Sequence, residues 1–261
     1  MRVIGLVNQK GGVAKTTTAS ALAYGLARHG KRTLLVDFDP QGNLSVACGI
    51  TTNEGCPPAL KLITDIKADV EIESLETCLD FIASGIGLET ANMILAGKPC
   101  RELYLKRALQ KFEGQYDYVV VDSNPSLSII TLNVLAACDD IIVPFKPEFN
   151  SEKGVSLLIE TVDEIHQINK NLCIRGFLVT MADRRRRSTK ESVDYVEKQA
   201  QGCQSKVYKS WIRQSVVAAD APKIGKSVYD YRPGSPLVTD YEAFVEEFLD
   251  EEKEYAGTRK K

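Results

Sequence analysis

Asn8-Gln9-Lys10-Gly11-Gly12-Val13-Ala14-Lys15-Thr16-Thr17 decides how the rest of the chain is read. An apolar run, Val3 to Val7, precedes it, and a helical pattern, Thr18 to Arg28, follows. Strand, glycine-bearing turn and helix, in that order, are the setting of a phosphate-binding loop. The N–H groups of the turn and of the first helical residues point at an anion, and the helix dipole adds partial positive charge there. In such a loop Lys15 reaches the β- and γ-phosphates and the Thr16 hydroxyl sits on Mg²⁺. The fit to G-x-x-x-x-G-K-[ST] is incomplete, because Gln9 and Ala14 hold the two glycine positions. An extra lysine, Lys10, stands five residues before Lys15. The bland alternative is a lysine-rich turn without a ligand. It leaves the crowding of lysine, glycine and threonine after a buried-type strand unexplained.

The chain has 261 residues, 44% hydrophobic and 26% charged, the balance of a soluble globular protein. Its length favours a single α/β domain over 1–261, with 255–261 as a frayed tail. A net charge of -2 supplies no whole-protein basic field, so any nucleic-acid surface must be local. No apolar run reaches the roughly 18 residues a membrane span needs. A strand pattern starting at once after Met1 leaves no room for a signal peptide, and a cytoplasmic protein is expected. Cys48, Cys56, Cys78, Cys100, Cys138, Cys173 and Cys203 are dispersed and form no Cys-x-x-Cys, and His29 and His166 are the only histidines. Reduced thiols are the first reading and an iron–sulfur site the lesser one.

Outward from the loop, Thr16 to His29 carries Ala19, Leu22, Ala23 and Leu26 on one face, and Gly30 stands where a helix ends. Arg32 to Asp37 is a second strand, which makes a right-handed β–α–β unit. Asp37-Phe38-Asp39-Pro40-Gln41-Gly42-Asn43 then sets two acids at a strand's carboxyl end, placed for Mg²⁺ or an attacking water. In isolation a Pro40–Gly42 turn with solvated aspartates reads equally well. Tyr116 to Asp122 has the β-branched content of a central parallel strand. Asp122 at its end is placed to hold Mg²⁺ through water, or else caps a helix.

The remaining signals are coarser. Short helices are expected at Ala59–Ile66 and Leu88–Leu95, a strand at Leu79–Ala83, and a helical period at Arg101–Phe112. Helix Leu127–Ala137, strand Asp140–Pro144, helix Ser156–Ile168, strand Ile174–Met181 and a last strand Val207–Ile212 follow. Helix Asp240–Glu254 closes the pattern, with Tyr241, Phe244, Val245, Phe248 and Leu249 on one side and acids on the other. Membrane-surface helices carry cations opposite the apolar face, so no membrane contact is expected. Arg184-Arg185-Arg186-Arg187 stands at a helix start, the unfavourable end for cations. Solvent or an external anion must balance it. Between Arg184 and Arg213 nine Lys/Arg face three acids, Glu191, Asp194 and Glu197, a patch suited to phosphate backbones without base readout.

Lys10-Gly11-Gly12-Val13-Ala14-Lys15-Thr16-Thr17 resembles the deviant Walker A box of the ParA/MinD/Soj ATPases, and the likeness runs from Val3 to about Leu249. Asp37 to Asn43 matches that family's switch I, D-x-D-P-Q-G-N, residue for residue. Asp122-Ser123-Asn124-Pro125-Ser126 resembles its switch II, D-x-P-P-S, with Asn124 in place of a proline. Glu148 and the run Leu178-Val179-Thr180-Met181-Ala182-Asp183 resemble further family positions. The resemblance implies a mostly parallel, doubly wound twisted sheet with helices on both faces, of P-loop NTPase type. It implies ATP and Mg²⁺ as cofactors and Lys10, Gly11, Gly12, Val13, Ala14, Lys15, Thr16 and Thr17 as ATP-binding residues, with base contacts around Ile212, Arg213 and Gln214.

Further roles follow from the same resemblance. Lys10 crosses to the partner's phosphates in an ATP-bound sandwich homodimer, and Lys10, Lys15 and Asp39 form the hydrolytic set, with Asp39 positioning water. Thr16, Asp37 and Asp122 form the metal shell. Arg184, Arg185, Arg186, Arg187, Lys209 and Arg213 form a nonspecific DNA surface, although a second family arginine is missing near Val217. Ala14 replaces a glycine, so an ordinary negative φ is expected there unless the surroundings absorb the cost. The function implied is DNA partitioning by a slow, nucleoid-associated ATPase, stimulated by a ParB-type DNA-binding protein. An N-terminal helix-turn-helix is not expected, nor is autorepression. A positioning ATPase for a protein cargo is the alternative, and an amidoligase-type synthetase stands behind both.

Overall fold

The apolar runs of the sequence become the middle of one sheet. In the computed structural model the strands are β1 (Arg2–Leu6), β2 (Thr33–Phe38), β3 (Glu73–Glu76), β4 (Leu79–Ile82), β5 (Tyr118–Ser123), β6 (Asp140–Phe145) and β7 (Cys173–Val179). Their order is β3-β4-β2-β5-β1-β6-β7, parallel throughout except for the antiparallel β3–β4 pair. The structure describes all residues except Glu54, Phe149, Asn150, Arg184 and 259–261, and the side chains of Ser151 and 254–258 as well.

Alternation along the strands assigns the two faces. Ile4, Leu6, Leu35, Val120, Ile142 and Leu178 point into one layer, while Val3, Leu34, Val36, Val119, Val121, Ile141, Val143, Phe177 and Val179 point into the other. The first layer holds α1 (Lys15–Arg28), α2 (Asn43–Ala47) and elements from the chain's end. The second holds α3 (Pro58–Thr64), α4 (Ala91–Ala96), α5 (Tyr104–Leu109), α6 (Ile129–Ala137), α7 (Ser151–Ile165) and α8 (Arg187–Gly202). The chain then returns to the first layer through α9 (Val216–Asp220), α10 (Val228–Tyr231) and α11 (Pro236–Thr258). This is the doubly wound sheet implied by the sequence. The connections diverge on either side of β1, and ligands in such sheets bind outside the carboxyl ends of the strands.

Helix α11 lies close on α1 because Gly25 has no side chain; a Cβ there would stand 2.5 Å from Val245. The acids of α11 are partly engaged with the sheet's opposite end. Arg175 pairs with Glu252 at 2.9 Å and Glu251 at 3.4 Å, and Arg2 reaches Glu252 at 3.6 Å. Helix α11 runs to Thr258, into the stretch expected to fray. Among the described residues no helix is long and apolar enough to cross a membrane.

One expected element is corrected. Val207–Ile212 is not a strand; it touches the sheet only through isolated bridges, Phe177 to Val207 and Thr180 to Ile212. Between them the N–H groups of Lys209 and Ser210 donate to the Glu247 carboxylate, both at 2.9 Å. A side chain of α11 thus takes the bonds a sheet neighbour would have made. β3 was not expected, and α7 starts at Ser151 instead of Ser156.

Candidate nucleotide and magnesium site

The loop 8–14 sits at the carboxyl end of β1, held from three sides. Asn8 donates from Nδ2 to the Pro144 carbonyl at 2.7 Å and accepts from the Lys10 N–H at 2.8 Å. The Thr180 hydroxyl donates to the Val13 carbonyl at 3.1 Å. Val13 is buried, whereas Gly11 and Gly12 lie on the surface with open space where a Cβ would stand. Gly12 adopts φ 71°, a conformation that suits glycine. Ala14 also adopts a left-handed conformation, φ 62° and ψ 31°, as the N-cap of α1. Of the two alternatives, an ordinary negative φ is not found and a left-handed alanine is. The fold carries a cost of about 1–2 kcal/mol at this residue.

Lys15 opens α1 and is buried beneath the loop, its Nζ donating to the Lys10 carbonyl at 3.3 Å. Burial pulls its pKa below the usual lysine value, and the carboxylates of Asp122 and Asp39 partly restore it. Thr16 and Thr17 follow on the half-buried first turn. Lys10 extends differently: its Nζ is 3.5 Å from Glu148 Oε2, and Lys146 pairs with the same carboxylate.

Parallel pairing of β2 with β5 sets Asp37 beside Asp122. Both are fully buried, yet their surroundings differ. Asp37 accepts from the Ser45 N–H at 2.9 Å, the Ser45 hydroxyl at 2.7 Å and the Asp39 N–H at 3.1 Å. Burial still pushes its pKa up to about 6 against those bonds. Neither carboxylate oxygen of Asp122 has a hydrogen bond of ordinary geometry among the described residues, and the Thr16 hydroxyl is a nearby donor that favours its charged form. Burial first and the neighbouring Asp37 second hold its pKa well above the carboxylate range, with partial relief from the Thr16 hydroxyl and Lys15. An unpartnered buried carboxylate beside a threonine hydroxyl and an ammonium fits a hydrated magnesium ion. No group of three or more His, Cys, Asp or Glu able to hold a metal exists among the described residues, so such an ion would need further oxygens from phosphate and water.

Asp39 is buried as well; the Gln41 N–H donates to its carboxylate at 3.0 Å and the Gly42 N–H to its carbonyl at 2.9 Å. Asn124 does not leave the loop after β5 slack. Its Nδ2 donates to Ser126 Oγ at 2.7 Å, and the Thr131 hydroxyl donates to Asn124 Oδ1. A hydrogen-bonded clasp thus occupies the place of a proline.

A groove of about 860 Å³ is lined by Pro147, Glu148, Met181, Arg185, Arg186, Arg213 and Gln214, among others. Ile212 is buried behind it and donates to the Val179 carbonyl at 2.8 Å. The structure gathers the loop, Asp37, Asp39 and Asp122 in one place. The arginines stand apart from that cluster and have acids of their own. Arg185 forks onto Asp183 at 3.0 and 3.2 Å, Arg187 meets Glu191 at 2.8 Å, and Arg186 stands 3.8 Å from Asp183. Arg213 forks onto Asp240 at 2.7 and 2.8 Å. Lys209 is exposed, and Arg184 lies outside the described residues. The Arg185 and Arg187 side chains are 91% and 93% exposed, and exposed pairs of this kind hold little against a phosphate backbone. Ser45 was missed from sequence, and Thr180 and Asp183 were noted there only as part of a family-like run, without the contacts they make.

Comparison with known proteins gives a consistent picture. A family described as an AAA domain matches residues 1–174. The chain is 37% identical over 237 residues to the sporulation initiation inhibitor protein Soj of Bacillus subtilis, covering 90% of this chain and 92% of that protein. It is 38% identical over 254 residues to the chromosome-partitioning ATPase Soj of Thermus thermophilus, covering 95% and 96%. The cobyrinic acid a,c-diamide synthase of Mycobacterium smegmatis, solved with ADP and magnesium, matches with a TM-score of 0.77 at 29% identity, covering 97% of this chain and 96% of that one.

Proposed function

The chain belongs to the ParA/Soj family of partitioning ATPases, and from that premise we propose that it is an ATP-driven DNA-partitioning switch whose nucleotide-bound homodimer binds DNA without sequence preference. The observation that carries the ATP half is the unpartnered Asp122 carboxylate beneath the loop, beside Thr16 and Lys15. The N–H groups of 11–17 cradle the phosphates, and Lys15, desolvated by burial, neutralises them. Thr16 and Asp122 hold magnesium, with Asp37 behind them. Magnesium, when bound, withdraws charge from the phosphate oxygens. Asp39 orients the attacking water. Gln214 and the backbone around Ile212 and Arg213 flank the base.

Lys10 leaves Glu148 when a second copy closes over the nucleotide and reaches that copy's phosphates. Dimerisation then sets two arginine edges side by side, where Arg185, Arg186, Arg187 and Lys209 exchange exposed acids for DNA phosphates. Hydrolysis, slow alone and stimulated by a ParB-type partner, dissolves the dimer. On this reading residues 1–261 act as one ATPase unit on the nucleoid, in the cytoplasm.

The test is a gel shift with unrelated DNA duplexes. ATP-dependent, sequence-independent binding that weakens with salt and with Arg185→Ala is expected. No shift at low salt with ATP present would overturn the DNA reading and favour a protein cargo. In sedimentation, Lys10→Ala should abolish ATP-dependent dimerisation. Undiminished dimerisation by that variant would refute the cross-subunit role.

A further inference from the structure

The carbonyl that precedes the left-handed Ala14 is held by a residue far along the chain, Thr180. Thr180 follows β7 directly and is fully buried. Its N–H donates to the Phe145 carbonyl at 2.9 Å, and it bridges to Ile212. Its backbone is thereby fixed against two neighbouring segments. The side-chain hydroxyl then donates to the carbonyl of Val13, the residue before Ala14. The Val13–Ala14 peptide is trans, so its N–H points opposite to its carbonyl. Holding the carbonyl toward Thr180 therefore aims the Ala14 N–H the opposite way, away from β7. A flipped peptide would relieve Ala14 of positive φ and turn a carbonyl lone pair toward the phosphates, where charge disfavours it.

We propose that Thr180 is a positioning residue for triphosphate binding: its hydroxyl locks the Val13–Ala14 peptide with the N–H facing the phosphates and so sustains the left-handed Ala14. This rests on the ATPase reading above. Met181, the next residue, is itself left-handed at φ 52° and lines the 860 Å³ groove. Thr180 therefore sits at the joint between the groove and the phosphate loop.

The experiment measures displacement of a fluorescent ATP analogue by ATP, by inorganic tripolyphosphate and by adenosine, for the wild type, Thr180→Val and Thr180→Ser. Valine keeps the buried shape and removes the donor; serine keeps the donor. Loss of one buried hydrogen bond should weaken ATP and tripolyphosphate alike by about tenfold in the valine variant. Adenosine binding should be unchanged, and serine should restore the wild-type values within about twofold. In turnover the loss should fall on KM and leave kcat within about twofold. Equal triphosphate binding by the wild type and the valine variant overturns the proposal. So does a loss confined to ATP and adenosine, which would place the effect in the groove at Met181. A wild type that binds no triphosphate at all brings down the ATPase reading and the proposal together. Should the valine variant fail to fold, Thr180→Cys, a weak donor of serine's shape, is judged by the same outcomes.

Discussion

The tips of β2 and β5 lie side by side and end in the same residue type, yet the fold treats them oppositely. Asp37 is enclosed by three donors, two of them from Ser45. Asp122, its registered neighbour, has none of ordinary geometry among the described residues, only the Thr16 hydroxyl close by. A buried carboxylate with its lone pairs filled holds local structure, here the turn that carries Asp39. A buried carboxylate left unfilled costs stability until a cation arrives. On the proposed reading, equal burial with unequal hydrogen bonding makes Asp37 the scaffold acid and Asp122 the ligand acid, although both are strand-end aspartates in the sequence.

The largest expected effect lies at Asp122. Asp122→Asn should lower ATP turnover by about a thousandfold, the scale of losing a charge-stabilising group. The same change should raise the stability of the nucleotide-free protein by about 1–2 kcal/mol, because a neutral amide replaces an unpartnered acid. Thermal melts without nucleotide check this, and a lower melting temperature would dissolve the contrast. Next comes pH. The folded value of Asp37 is about 6 against 3.8 for the free side chain, so the folded chain holds the proton more tightly. That stabilisation is complete below about pH 4 and is lost as pH rises through 6, a change of about 3 kcal/mol. Asp37→Asn should remove this component from the pH dependence of urea unfolding, and an unchanged slope would contradict it.

A smaller effect is expected at Ser45, whose hydroxyl donates to Asp37 and accepts from the Ser84 N–H at 2.8 Å. Ser45→Ala should cost about 1.5–3 kcal/mol and slow turnover through Asp39, measured by melting and steady-state kinetics together. The smallest concerns Ala14. Ala14→Gly relieves the left-handed strain but adds freedom to the unfolded chain, for a net gain of about 0.5 kcal/mol. A destabilised glycine variant would mean that the alanine methyl packs usefully.

Much of this was legible in the sequence because it follows from local chemistry. Apolar runs ending in acid marked β2 and β5, and lysines among glycines and threonines marked the loop between β1 and α1. What stayed hidden depends on distant pairing. β3, Glu-Ser-Leu-Glu, has an exposed or half-buried edge position and too little apolar alternation to announce a strand. Val207 to Ile212 has the composition of a strand, but Glu247 on α11 captures its N–H groups. The roles of Asp37 and Asp122 looked alike until Ser45 was found beside one of them only. The left-handed Ala14 is tied to Thr180, far along the chain, and no local pattern encodes that bond. The arginine run was legible as charge and Asp183 as the acid before it, whereas the pairing of Arg213 with Asp240 emerged only from the fold.

The contrast between the two aspartates is tested most directly by measuring ATP affinity with and without magnesium in the wild type, Asp122→Asn and Asp37→Asn. Magnesium should tighten ATP binding by about tenfold or more in the wild type and in Asp37→Asn. It should make no difference to Asp122→Asn. A full magnesium effect in Asp122→Asn, or its disappearance in Asp37→Asn alone, would contradict the account.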